Sequence, residues 1–266
     1  MTERWVCLLY HDVVAELSGP SAGPSRFAVR HRNFEEQLDL IRDCGYRGCS
    51  IAAALTTPAE RQLAISFDDG NLGQFTRAFP ALVARGMTAT FFVTTSWVGK
   101  PEYMTWAQLQ EMKRAGMSVQ SHTRTHPFLS ELGAQALREE LRGSKAELDD
   151  ALEQATDMLA LPGGDFPPSG LRCIVRESGY HVVATSRWGT NRGRAPAGTE
   201  PLYLCRCTVQ GAPGPGYVRR ILAADRWLGG QRRLREAVLR AMRRSIGPSR
   251  YARWRRQVLN ALARPT

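Results

Sequence analysis

The stretch "LAISFDDG", residues 63–70, is a short, mostly apolar run that stops on two adjacent carboxylates and a glycine. Its length and its lack of polar alternation are those of a strand buried on both faces, which is how strands of parallel sheets read. Outward from it the pattern repeats. β-rich runs at 6–13, 49–55, 89–95, 117–122, 158–164, 181–186 and 202–209 are separated by segments of helical period at 33–44, 72–86, 105–115, 133–155 and 168–178. Such alternation predicts an α/β fold of parallel strands joined by crossover helices. The spacing suits a (β/α) barrel, or a close relative, of seven or eight strands. A doubly wound open sheet is the alternative. No G-x-G-x-x-G follows the first strand and no G-x-x-x-x-G-K-[ST] occurs, so a nucleotide site has no positive support.

Local signals fill in the frame. Asn33 ahead of Glu35 and Glu36, and Thr105 ahead of "WAQLQEMKRAG", are N-cap signals. "SGPSAGPS" (18–25) and "GTNRGRAPAGTEP" (189–201) read as loops, and "QGAPGPG" (210–216) as a boundary. The chain is therefore expected to divide into a barrel over 1–217 and a tail over 218–266. At 266 residues and 43% apolar content it is long enough for one such barrel.

"MTERWVCLLYHDV" has no basic segment leading into an apolar run, and no apolar run of membrane-spanning length occurs, which predicts neither signal peptide nor transmembrane helix. Six scattered cysteines without a C-x2-C pair are expected to be reduced thiols, so the expected location is cytoplasmic. Cys205 and Cys207 in "LYLCRCTV" share one strand face, as a zinc or redox pair or, more simply, as core packing. The charge is uneven. Residues 218–266 hold 14 arginines, no lysine and two acids, Asp225 and Glu236, a net of +12, whereas residues 1–217 carry 22 basic and 23 acidic residues.

Chemistry in barrels of this kind sits at the C-terminal ends of the strands. There the chain places Tyr10-His11-Asp12, Asp68-Asp69-Gly70, Ser121-His122 and Pro162-Gly163-Gly164. Asp68 and Asp69 point to opposite sides unless the chain turns, and Gly70 supplies a residue that can turn. A divalent cation relieves the repulsion of two close carboxylates by taking one as a ligand. His122 and His126 of "SHTRTH" would bring the set to one carboxylate and two imidazoles, the make-up of a catalytic zinc-type site. Each motif alone has a plainer reading, since adjacent aspartates are common in turns and a single histidine is more often a core or surface residue. Pro127 disfavours a helix at His126, so His122 is expected to end a strand and His126 to reach back from the following loop.

Taken together, "ISFDDG", "FPALVARGMTATFFV", "MTWAQLQEMKRAGMSVQSHTRTHPFLSEL", "LALPGG" and "SGYHVVATS" resemble the polysaccharide deacetylases of the NodB-homology, carbohydrate esterase family 4 type, over roughly residues 5–209. The resemblance implies a distorted (β/α)7-type barrel that removes N-acetyl groups from amino sugars with a divalent metal, most often Zn2+, with Co2+ or Ni2+ as alternatives. It implies Asp69, His122 and His126 as metal ligands and Asp68 as the general base toward a metal-activated water. Gly163 is then the candidate oxyanion donor, with Pro162, Arg187 and Trp188 around the substrate. Two departures stand out. The family's third-motif arginine, which steadies the base, corresponds to Ala160, with Arg187 as the expected substitute. No histidine follows His181, so the family's late L-x-H acid is absent. His11 in "LLYHDV", which resembles the Y-H-x-V of one branch, is the expected acid, with a structural or substrate-binding role as the alternative. His181 starts a strand, at the wrong end of the barrel, and His31 reads as a loop residue.

Leu234, Val238 and Met242, then Tyr251, Trp254, Val258 and Leu262, recur at helical spacing in the tail with arginines between them. This amphipathic pattern fits peripheral attachment to an anionic membrane or packing on the barrel; nucleic-acid binding has charge but no module to support it. The expected activity is a cytoplasmic, metal-dependent N-deacetylase acting on an N-acetylhexosamine of a glycan or glycan precursor. Another C–N hydrolase on the same fold, and a silent glycan- or membrane-binding homologue, are the alternatives.

Overall fold

The computed structural model describes residues 4–16, 27–56, 61–192, 200–211, 214–224, 226–247, 249–251 and 253–254. The expected loop at 18–25, most of that at 189–201, and the positions Val258 and Leu262 lie outside them. In chain order the elements are β1 (Arg4–Tyr10), β2 (Asp12–Val14), β3 (Ala28–Arg30), α1 (His31–Asp43), β4 (Arg47–Cys49), α2 (Ile51–Thr56) and β5 (Gln62–Phe67). Then follow α3 (Phe79–Val83), β6 (Thr90–Val93), α4 (Trp106–Arg114), β7 (Ser118–Ser121), α5 (Ala134–Leu152), β8 (Met158–Ala160) and α6 (Cys173–Glu177). The last are β9 (Val182–Ala184), β10 (Asn191–Arg192), β11 (Leu202–Leu204), β12 (Cys207–Thr208), α7 (Pro215–Leu222) and α8 (Arg226–Ile246).

Strands β1, β5, β6, β7, β8, β9 and β11 lie side by side in that order, with parallel pairing throughout. β12 pairs in parallel with the free side of β1 (Leu8↔Cys207), and β11 and β12 are consecutive pieces of one run. The sheet therefore bends back on itself and closes through residues 202–208, which gives seven staves, the distorted (β/α)7-type barrel. β4 adds beside the first half of β5 (Cys49↔Ala64), and β6 takes over that edge at Ser66↔Thr90.

All six residues of β5 are buried, as its unbroken apolar reading requires. Phe67 stacks on Phe91 at 4.8 Å between centroids and on Tyr10 at 5.4 Å, joining three neighbouring staves. The Tyr10 hydroxyl donates to Gln37 Oε1 of α1 at 2.8 Å, so the one polar atom of this aromatic stack is satisfied. Helix α1 buries Phe34, Leu38 and Ile41 at three- and four-residue spacing against the staves. Thr105 caps α4 in a capping box with Gln108.

Several expectations need correction. The stretch 49–55 is not one strand: β4 ends at Cys49 and α2 begins at Ile51. Ser50 Oγ accepts from the Ala53 N–H, as an N-cap does, and the alanines behind it favour helix. Asn33 lies inside α1, whose N-cap is Arg30. The helix expected at 72–86 is a π turn over Gln74–Ala78 followed by α3, because Pro80 has no N–H for the carbonyl four residues back. The run 202–209 breaks between β11 and β12, and the residue at the break, Arg206, turns inward and is fully buried.

The expected division at 217 falls inside α7. Val218, Ile221 and Leu228 belong to the same apolar core as β1, β5 and β6. Among the described residues no helix is long and apolar enough to cross a membrane.

Candidate active site

The polar residues converge where the staves end. The Asp68 N–H donates to the Tyr10 carbonyl at 3.1 Å, extending the β1–β5 ladder by one residue. There the chain turns sharply: Asp69 (φ 81°) and Gly70 (φ 88°) both adopt left-handed backbone. Glycine does so without strain, and its site leaves little room, since a Cβ would lie 3.2 Å from Val93 Cγ1. Asp69 has no such freedom, so the turn expected at Gly70 is shared by a carboxylate residue held in a strained conformation.

The turn separates the two aspartates. Asp69 faces the histidines, its Oδ1 lying 3.4 Å from His122 Nε2 and 3.6 Å from His126 Nε2. His122 follows β7, its N–H donating to the Val93 carbonyl at 2.8 Å, and its ring is buried. His122 Nδ1 lies 2.9 Å from the Ala160 carbonyl. A carbonyl only accepts, so Nδ1 carries a proton; burial works against a second one on Nε2, but Asp68 and then Asp69 outweigh it and raise the His122 pKa, so a cation would take the place of a proton between Nε2 and Asp69. His126, ahead of Pro127, is outside the helical region as expected, at φ 62° rather than extended. Its ring stacks on Trp97 at 5.1 Å, and the loop that carries it is fixed to α5 by Glu140, which accepts from the N–H groups of Arg124 (3.0 Å) and Thr125 (2.8 Å).

The three ligating atoms lie within 4.8 Å of one another. A tetrahedral ion with bonds of about 2.0–2.1 Å has donor-to-donor edges of about 3.4 Å, which the two Asp69–imidazole distances match, while the imidazole pair lies within 4.8 Å. Burial, with His122 beside it, lowers the His126 pKa to about 4, which leaves a neutral imidazole free to donate its lone pair near neutrality. The residues present fit a divalent metal.

Asp68 is buried beside the same histidines, close enough for His122 to act on its charge, but its carboxylate is taken by a different partner. Both its oxygens accept from one guanidinium: Arg206 Nη1 to Oδ1 at 2.6 Å and Nη2 to Oδ2 at 2.8 Å. Arg206 Nε donates to the Thr185 carbonyl at 2.9 Å, and the guanidinium lies 5.3 Å over the Phe92 ring. Burial alone would push the Asp68 carboxyl up; Arg206, then His122, outweigh it and hold the pKa below the usual carboxylate range. Asp68 therefore has its arginine. It is Arg206 and not Arg187, whose guanidinium instead lies 4.5 Å over Phe166. The signal was in the sequence: a single arginine within an apolar strand run has to find a buried counter-charge. Cys207 is buried in the core and donates weakly to the Gly189 carbonyl.

His11 follows β1 and its carbonyl accepts from Gln74 Nε2 at 2.6 Å, as does the Asp68 carbonyl at 2.6 Å, so one amide ties the two stave ends together. The ring packs on Phe27, and Nδ1 is buried with no hydrogen-bond partner among the described residues. Gly163 follows β8 in left-handed backbone (φ 59°) within the turn Pro162–Gly164, beside Phe128 of the His126 loop. Trp188 is turned to the tail: its ring meets Tyr217 of α7 and the Arg232 guanidinium of α8, and its backbone N–H donates to Glu236 at 3.0 Å.

Comparison with known proteins places this geometry. The family model for polysaccharide deacetylase matches residues 56–183. A Bacillus subtilis protein named as a polysaccharide deacetylase, YxkH, is 30% identical over 188 residues, 68% of this chain and 64% of that protein. The poly-beta-1,6-N-acetyl-D-glucosamine N-deacetylase of Escherichia coli K12 is 30% identical over 142 residues, 45% of this chain and 20% of the enzyme. The chain thus spans under two thirds of the length of either curated relative. The Streptococcus pyogenes deacetylase PplD, solved with acetate, superposes with a TM-score of 0.73 at 27% identity, covering 83% of this chain and 98% of that one.

Proposed function

This chain belongs to the polysaccharide deacetylase family, and we propose that it hydrolyses the N-acetyl group of an N-acetylhexosamine in a glycan or glycan precursor. The observation that carries the reading is the pair of aspartates at the end of β5, one facing two imidazoles and the other clamped by a buried arginine beside them. Asp69, His122 and His126 would hold the ion; two imidazoles and a carboxylate suit zinc, with cobalt or nickel as functional substitutes. When bound, the ion supplies Lewis acidity toward the acetyl carbonyl and toward water.

The chain's own groups do the rest. Asp68, kept ionised by Arg206, retains lone pairs beyond the two that accept from the guanidinium, so it is the general base for the attacking water. The Gly163 N–H is the donor for the developing oxyanion, with Pro162 shaping the turn that presents it. His11, at the neighbouring stave end, returns the proton to the leaving amine in place of the late histidine this chain lacks. Arg187 borders the substrate. Trp188, engaged by Tyr217 and Arg232, is left out of this assignment. The silent-homologue alternative rested partly on a base without an arginine, and the Arg206 fork removes that motive. A cytoplasmic setting remains part of the proposal and is supported by six unpaired thiols.

The test is acetate release from N-acetylglucosamine oligomers with zinc, cobalt or nickel supplied. Asp68→Asn keeps one acceptor for Arg206 but not its counter-charge, so some loss of stability is expected; among molecules that stay folded by thermal melt and keep metal, kcat should fall about 10²–10⁴-fold. Turnover unchanged by that substitution would overturn the assignment of the base.

A further inference from the structure

Helix α8 docks on the barrel with a mixed side, apolar at Leu228 and Leu239 and polar at Arg232 and Glu236. Leu228 and Gly229 are buried, the Arg232 guanidinium lies 5.7 Å over Trp188 and 5.2 Å over Tyr217, and the Glu236 carboxylate accepts from the Trp188 backbone N–H at 3.0 Å. At about 100° per residue, positions 227, 234, 238 and 241 fall on the opposite side. They carry Trp, Leu, Val and Ala, and Trp227, Leu234 and Val238 are 67%, 68% and 51% exposed. A surface helix ordinarily turns its apolar stripe inward. This one turns it out, with Arg233 and Arg235 exposed on either side.

The surroundings select what meets that stripe. The segment 218–266 carries the net +12, while the rest of the chain is close to neutral. At the first turn of α8, Arg220 lies 5.7 Å over Trp227; Arg220 and Arg233, with Arg4, line a cavity of about 250 Å³ that has no carboxylate among its lining residues. A second copy on the same face would oppose two such cationic tails. A nucleic acid would use the arginines and leave the apolar stripe in water.

We propose that α8 is an interfacial helix by which this protein lies on an anionic lipid bilayer. Trp227, Leu234 and Val238 enter the headgroup–acyl boundary and the flanking arginines meet lipid phosphates. The orientation has a consequence for the site. Past the end of α8 the Ser249 N–H donates to Glu131 Oε1 at 2.9 Å, and Glu131 is in the segment that follows His126. The start of α8 shares a cavity with Arg4, at the start of β1, and the residues past its end reach the rim that carries His126, so a bilayer along α8 brings that rim to the lipid surface. This inference is independent of the reaction proposed above.

The experiment is flotation of the full chain with vesicles of phosphatidylcholine, alone and mixed with phosphatidylglycerol. The expected result is capture only by the mixed vesicles. The Leu234→Glu/Val238→Glu variant, whose positions face solvent, should lose on the order of tenfold or more in partition with an unchanged thermal melt. Arg233→Ser and Arg235→Ser should each lose about fivefold. Equal capture by phosphatidylcholine alone, or full capture of the glutamate variant, overturns the proposal. So does a dimer in vesicle-free solution that the glutamate variant dissociates, or duplex DNA that displaces the vesicles and binds the variant unchanged.

Discussion

Replacing Arg206 with methionine keeps the volume of the side chain and removes its charge. The guanidinium is fully buried and makes two charge-assisted bonds to Asp68, at 2.6 and 2.8 Å. At about 1.5–3 kcal/mol each, those bonds amount to about 3–6 kcal/mol. Breaking one side of a buried pair costs about 3–5 kcal/mol by a separate route. The two agree, so Arg206→Met should destabilise the protein by about 4 kcal/mol. Replacing both partners, Arg206→Met with Asp68→Leu, leaves no stranded charge and should return to within about 2 kcal/mol of the parent. The sign of the pH dependence follows. In the native protein the depressed Asp68 pKa stabilises the fold above the unfolded value of about 3.9, and that contribution is lost as pH falls through the lower native value. In Arg206→Met, burial acts with less opposition and the native pKa rises. The variant therefore loses most relative to the parent at neutral pH and least in acid. Urea unfolding of metal-free protein at neutral and mildly acidic pH reads all of this. A single variant as stable as the parent, or a double variant whose loss equals the sum of the two singles, would refute the argument that Asp68 depends on Arg206.

Three further outcomes are expected. Glu140→Ala removes the acceptor that pins the Arg124 and Thr125 N–H groups, so zinc affinity, measured by competition with a chromophoric chelator, should fall about 10–100-fold with little change in stability. Phe91→Ala takes one end off the aromatic stack and leaves a cavity beside Phe67, which should cost about 3–5 kcal/mol in urea unfolding. With a thiol reagent near neutral pH, exposed Cys173 should react at once, whereas Cys7 and Cys207, whose thiols burial pushes up to about 12, should stay silent until the protein is unfolded.

What the sequence disclosed follows from how local each determinant is. The staves were legible because a strand covered on both faces must be apolar along its whole length, as "LAISF" is. The candidate ligand set was legible because Asp69 and His122 stand where apolar runs stop and His126 follows four residues after His122. The α2 segment was misread because "CSIAAAL" has the composition of a buried strand, and the decision rested on one serine hydroxyl accepting from Ala53. Arg206 was missed for a different reason. Its partner is 138 residues away, and only the closure of the ring brings them together. The docking of α8 was hidden in the same manner: its periodicity marks an apolar side, but which side meets the barrel depends on Trp188 and Tyr217 from other elements.

The seam at 202–208 also sets an order in time. A chain is made from its N-terminus, so Asp69, His122 and His126 leave the ribosome well before Arg206 does. A nascent chain at that stage owns every ligand for a cation, yet its future base is an acid without a counter-charge in a ring that is still open. The stretch that closes the ring also delivers the counter-charge of Asp68, so closure of the barrel and a stably ionised Asp68 arrive in one step.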